Sequence, residues 1–249
     1  MLLEICVDSV QSAINAEKGG ASRVELCANL MEGGTTPSLG MLKIIKKLVS
    51  VPVFVIIRPR GGDFVYSESE FWVMKEDLKC LKSEGADGIV LGILEANGEI
   101  DRERCQELID ISRPLPVTFH RAFDMVRDPV LSLDILVSMG VERILTSGLD
   151  STALEGLPII KILVEHANKR IIIMPGGGIT ERNLERIVQG SGAVEFHCSA
   201  RESVDSPVQK ECRRSNVFMG GALRPPEFLH KYTGENMVKR LCAIVSQSR

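Results

Sequence analysis

The sequence has no CxxC pair, no apolar run of membrane-spanning length and no excess of positive charge. Each absence narrows the function. Its seven cysteines are odd in number and scattered. That speaks against a disulfide framework and suits reduced thiols in a cytosolic-type compartment. Thirty basic residues against 33 acidic ones leave a formal charge of −3, which offers no electrostatic reason to expect nucleic acid or an anionic membrane surface as partner. Met1-Leu2-Leu3 runs straight into Glu4, without the basic start and apolar core of a signal peptide, and no segment reaches spanning length. What remains is an ordinary soluble composition, 44% hydrophobic and 25% charged over 249 residues, enough for one large core.

Two short stretches look alike: Glu4-Ile5-Cys6-Val7-Asp8 and Glu25-Leu26-Cys27-Ala28-Asn29. Side chains of a strand alternate faces. One face of each therefore carries Glu, Cys and a short polar residue, and the other is apolar. If the strands pair in parallel and in phase, Cys6 and Cys27 stand level on neighbouring strands, about 4.8 Å apart.

Around them runs a repeating pattern. Strand signals at 53–57, 88–94, 117–124, 143–147, 170–174 and 194–200 alternate with helical stripes such as Phe71, Met74, Leu78 and Leu81. Helix starts are marked by Ser67 with Glu70, by Asp101, and by Asp128 followed by Pro129, patterns that satisfy the free N–H groups of a first turn. Gly20, Gly85, Gly140 and Gly192 each precede an even-numbered strand, where glycine ends a helix. Eight βα units built in pairs predict an α/β fold, a single-domain (β/α)8 barrel over 1–249, with its functional face at the strand C-termini. The stretch 201–233 has little periodicity and reads as an irregular insertion, a long loop before the last helix.

Barrel closure sets the eighth strand beside the first. Glu195-Phe196-His197-Cys198-Ser199 then adds Glu-x-His to two copies of Glu-x-Cys, and the shared polar face points to the barrel interior. Thiolates select Cu(I) or zinc, and imidazole suits both. Two thiolates can hold Cu(I) at low coordination, whereas zinc wants four ligands. The other reading is a packed barrel floor: cysteine buries as a small hydrophobe, with Glu4, Glu25 and an arginine forming an ion-pair layer. Cys80, Cys105 and Cys242 fall on helical core faces, Cys212 in the long loop, and Cys198 faces the helices with Phe196.

His120 shares an inward face with Thr118, Ala122 and Asp124, opposite Phe119, Arg121 and Phe123. It is a base, a ligand or a hydrogen-bonded core residue. Arg58 brings a positive charge into the same cavity. Glu4, Glu25, Arg58 and His120 are thus candidates for acid–base work, and the alternative function is an enzyme acting on a small anionic or phosphorylated substrate. Gly176-Gly177-Gly178 after the seventh strand, with Ser199 on the next, is a candidate anion site. Gly33-Gly34-Thr35-Thr36 and Arg60-Gly61-Gly62-Asp63 are further mouth loops.

These motifs resemble a known family. Glu4-Ile5-Cys6-Val7-Asp8, Glu25-Leu26-Cys27, Ile57-Arg58-Pro59-Arg60-Gly61-Gly62-Asp63-Phe64, Thr118-Phe119-His120-Arg121-Ala122-Phe123-Asp124, Met174-Pro175-Gly176-Gly177-Gly178-Ile179 and Glu195-Phe196-His197-Cys198-Ser199-Ala200 are similar to the CutC copper-homeostasis proteins, animal members above all, from residue 2 to about 204. The resemblance implies a (β/α) barrel, a cytoplasmic location extending to the nucleus, and a homo-oligomer, tetramer ahead of dimer. It also implies Cu(I) held by Cys6 and Cys27, about one ion per chain, taken as the free ion or from a copper donor. His197 and His120 are secondary ligand candidates.

Overall fold

The structure, a computed structural model, describes residues 1–220 and 226–247. Eight parallel strands form the sheet: β1 (Leu2–Val7), β2 (Arg23–Leu26), β3 (Val53–Ile56), β4 (Gly88–Leu91), β5 (Val117–Phe119), β6 (Arg143–Thr146), β7 (Ile172–Pro175) and β8 (Glu195–Cys198). Their order is β7-β6-β5-β4-β3-β2-β1-β8, and a parallel bridge between Gly176 and His197 joins the two ends. Helices α1 (Val10–Lys18), α2 (Leu39–Leu48), α3 (Glu68–Ser83), α4 (Arg102–Ser112), α5 (Pro129–Ser138), α6 (Leu157–Ala167) and α7 (Leu184–Ser191) follow the strands in turn. The expected (β/α)8 barrel is the fold.

Local chemistry accounts for the punctuation. Ser67 and Glu70 close a reciprocal capping box at the start of α3. The Asp101 side chain accepts from the backbone N–H of Arg104, and that of Asp128 from Leu131, with Pro129 opening α5. Gly20, Gly85, Gly140 and Gly192 all have positive φ, between +71° and +93°, a conformation that costs any side chain with a Cβ.

The barrel has two separate apolar regions. Leu3, Ile5 and Val7 point outward into the large core between sheet and helices. Cys6, Cys27, Phe54, Ile56 and Val90 form a smaller cluster inside the barrel. The polar face of β1 and β2 is therefore the interior one.

Three expectations need correction. Strand β5 stops at Phe119, and residues Arg121–Met125 turn into a 3₁₀ helix capped by His120. The alternation drawn through Asp124 fails beyond His120, and Arg121 and Asp124 both reach the barrel mouth. The stretch 201–233 is not irregular throughout: β9 (Arg201–Asp205) pairs antiparallel with β10 (Leu229–Thr233). Most of its residues are solvent-exposed, so no burial enforces the period-two pattern by which a strand is read. Gly221 and Pro225, two residues that punctuate this stretch, lie outside the described residues. The ribbon is tied back to the barrel by Thr233, whose N–H donates to Ser12 Oγ (3.1 Å) and whose hydroxyl donates to the Ser199 carbonyl (3.1 Å). The final helix, α8 (Glu235–Gln247), packs against α7 and α1. Lastly, Cys80 is exposed on α3, because it lies off the stripe of Leu78 and Leu81 that the helix buries.

Candidate metal site and barrel mouth

Strand register sets the interior. Glu4 stands opposite Arg23 and Cys6 opposite Glu25 on β2, while Glu4 stands opposite His197 on β8. The expectation of level thiols is thus corrected. Cys27 sits two residues, about 6.6 Å, further along its strand than the partner of Cys6. Barrel strands are staggered, so equivalent motifs on neighbours climb toward the mouth instead of lining up.

Below the thiols lies a buried charge network. Arg23 pairs with Glu4 and, at 2.9 Å, with Glu195. Arg143 grips Glu195 with two N–H groups at 2.5 and 3.1 Å. The ring of Phe54 lies under both guanidiniums, 4.6 Å from Arg23 and 5.6 Å from Arg143. His197 closes the network upward: Nδ1 is 2.7 Å from Glu4 Oε1 and Nε2 is 3.5 Å from Glu25 Oε2. An ion-pair layer is the structural alternative to a metal site for these glutamates. It exists, but its cations are Arg23 and Arg143, and Arg58 takes no part in it.

The protonation states follow from this packing. Burial pushes Glu4 up, yet His197 and Arg23 together hold it down at about 2. Glu25 rises to about 7 through burial and the charge of Glu4, with His197 pulling the other way. Burial would make His197 neutral. Its contact with Cys6, the hydrogen bond to Glu4 and the charge of Glu25 outweigh that and hold the imidazolium well above its ordinary range. Cys27 is pushed well above the ordinary thiol range by burial, reinforced by Glu25, Cys6, Glu4 and Asp8. A metal that binds Cys27 must therefore displace a proton.

Cys6, Cys27, Glu25 and His197 all line one cavity of about 280 Å³ at the strand C-termini. Cys6 is 8% exposed and Cys27 2%, and a Cβ on Gly34 would lie only 3.3 Å from Cys27 Sγ. The loop after β2 thus roofs the second thiol. Glu4, Glu25 and His197 also form a compact set, with one ligand atom from each within 4.8 Å of the others. Two soft thiols beside an imidazole suit Cu(I). The 2.7 Å contact from Glu4 to His197 Nδ1 fixes the ring and leaves Nε2 on the Glu25 side.

The remaining candidates separate. The Arg58 guanidinium donates to the carbonyls of Glu32 (2.7 Å), Gly34 (2.8 Å) and Gly62 (2.9 Å), fastening the two mouth loops together. His120 is buried, and its Nδ1 accepts from the Ala122 N–H at 3.1 Å, so the ring proton is on Nε2. Burial and the charge of Arg58 push its pKa down to about 3. With no lone pair on Nε2, it is not arranged as a metal ligand. Gly176, Gly177 and Gly178 run into a turn where Asn183 Nδ2 donates to the Gly178 carbonyl and its Oδ1 accepts from Thr180 N–H, both at 2.8 Å. Helix α7 begins only at Leu184, so the glycines do not sit on its N-terminus. Neither they nor Ser199 line the cavity.

Sequence reasoning missed Arg143 and placed Arg121 on the outward face, whereas Asp124 and Glu195 point inward as the alternation expects. The Asp124 carboxylate accepts from Arg121, Thr146, Ser147 and Leu149 and so holds the mouth between β5 and β6. For Arg143 the signal was present: a charge opening an apolar strand, at the same parity as Leu145.

The model of the CutC family matches residues 1–202. The chain belongs to the CutC family. A human relative, the copper homeostasis protein cutC homolog, is 59% identical over 243 residues, 98% of this chain and 88% of the relative. The crystal structure of a Streptococcus agalactiae copper homeostasis protein CutC superposes with a TM-score of 0.77 at 41% identity, covering 80% of this chain and 98% of that one. A thiamine phosphate pyrophosphorylase from Pyrococcus furiosus matches at TM-score 0.62 and 16% identity, covering 99% of this chain and 96% of that one, and shows the barrel fold alone. Among the described residues, no helix of this CutC-family chain is long and apolar enough to cross a membrane.

Proposed function

We propose that this CutC-family chain takes part in copper homeostasis by binding Cu(I) as cargo through Cys6 and Cys27, about one ion per chain, with His197 Nε2 as third donor. The observation that carries the reading is the arrival of both thiols and this imidazole, from three adjacent strands, on the wall of one cavity. Relatives named as copper homeostasis proteins support the choice of metal. On binding, Cys27 gives up the proton that burial holds on it, and His197 gives up its own. Glu25, beside Nε2, is positioned to accept one of them, and the other leaves to solvent. Glu4 stays ionised and keeps the ring oriented through Nδ1.

Competition against a Cu(I) chelator tests this reading. The wild-type chain should compete, and Cys6→Ser with Cys27→Ser should abolish competition. Unchanged affinity in that double variant would contradict it. The proposal extends to a cytoplasmic and nuclear chain working as a homo-oligomer, a tetramer ahead of a dimer, that receives its ion from a copper donor.

A further inference from the structure

The β3 and β5 side of the mouth holds positive charge and donors left without partners. Arg58 is buried, its Nη groups donate to three backbone carbonyls, and its charge also reaches the neutral Tyr66 hydroxyl. Among the described residues no carboxylate pairs with it, and its Nε has no hydrogen-bond partner. A buried guanidinium without a counter-ion is costly. Next to it His120, 3% exposed, presents a second unpartnered group, Nε2. Its Nδ1 edge is fixed against Ala122 N–H and against Gly92, where a Cβ would stand 2.7 Å from Nδ1. The Nε2–H is therefore carried on the far edge of the ring. Phe64 binds the pair together, its ring 5.1 Å from the imidazole centroid and 5.1 Å from Arg58 Cζ. At the rim, Arg121 spends Nε on Asp124 and Nη2 on Ser147, leaving Nη1 without a partner among the described residues.

We propose that this side of the cavity, built by Arg58, Phe64, His120 and Arg121, binds a small oxyanion, one of whose oxygens accepts from His120 Nε2–H while the two arginines supply the counter-charge. The carboxylates nearby do not fill that role. Asp124 is held by several donors of its own, Glu25 lies against His197, and Glu32 is exposed. A space of about 280 Å³ lies just below the range of drug-sized pockets, which limits the ligand to a few-carbon carboxylate or a phosphate. The site belongs to the ends of strands β3 and β5, with Arg121 packed against Gly177, where a Cβ would lie 3.2 Å from Nη1, and it stands independently of the copper reading.

The full chain labelled with ¹⁵N-histidine tests the proposal by NMR at neutral pH, titrated with inorganic phosphate and, separately, with succinate. The His120 signal, assigned by its loss in His120→Phe, should report a neutral Nε2–H ring and move saturably with at least one anion. A response to phosphate alone assigns the oxyanion to phosphate, and a response to succinate alone assigns it to a carboxylate. In calorimetry, His120→Phe should weaken that anion roughly tenfold to hundredfold, the worth of a hydrogen bond to a charged group. Arg121→Gln, at a half-exposed side chain, should weaken it with folding intact. No saturable shift with either anion, or wild-type affinity in both variants, overturns the site.

Discussion

At the residue scale, the interior of the barrel is governed by which charges are paired. Glu195 is held by Arg23 and Arg143 in a nearly dry environment. Arg143→Met is expected to cost about 3–5 kcal/mol, the penalty of stranding part of a buried ion network, read as a lower urea midpoint at unchanged slope. His120 makes a prediction of opposite character. Its folded pKa is about 3, against roughly 6.5 when unfolded. Below about pH 6.5 the unfolded chain takes a proton that the native chain refuses, so the contribution of this residue to stability is full above that pH and is lost as pH falls toward 3. His120→Gln should remove about one proton, near 1.4 kcal/mol per pH unit, from the slope of stability between pH 6 and 4. Equal slopes in the two proteins would contradict a neutral, buried His120. At this scale the sequence was legible where parity holds. Glu4, Cys6, Glu25, Cys27 and His197 are all interior, as alternation requires. It was illegible at Arg121, because a strand and a 3₁₀ turn read alike over five residues, and at Arg58, whose carbonyl partners come from loops that no pattern positions.

At the element scale, caps and αL glycines divide the chain into βα units. Gly85 has φ +91°, and a Cβ placed there would meet Lys46 Cε at an ordinary contact distance of 3.9 Å. Gly85→Ala therefore isolates backbone strain, and thermal unfolding should show a loss of about 1–2 kcal/mol. A neutral outcome would mean that the turn relaxes out of the left-handed region. Such signals were readable because each arises from one residue and its immediate neighbours. Ser67 with Glu70 is the clearest case. The register between β1 and β2 was not readable in that way. It depends on the stagger of the closed barrel, so the two Glu-x-Cys motifs look interchangeable in sequence yet stand two residues apart in space. The β9–β10 ribbon escaped for a different reason: its strands are solvent-exposed, and its contacts to Ser12 and Ser199 are long-range.

At the scale of the whole molecule, a barrel seals one end with ion pairs and opens the other onto one cavity lined by both the thiols and the unpaired donors. Light scattering should find an assembly near four times the 27.3 kDa chain mass, and a monomer at all concentrations would contradict the proposed homo-oligomer. Two sets of ligands meet at the cavity floor, a soft one of Cys6, Cys27 and His197 and a hard one of Glu4, Glu25 and His197. They share the imidazole, so only the donor atoms around the ion distinguish them. The deciding measurement is the copper K-edge X-ray absorption spectrum of the chain loaded with one equivalent of Cu(I). Two sulfur scatterers and one nitrogen are expected, with loss of the sulfur shell in the Cys6→Ser, Cys27→Ser variant. A first shell of oxygen and nitrogen alone in the wild-type chain would contradict the two-cysteine site.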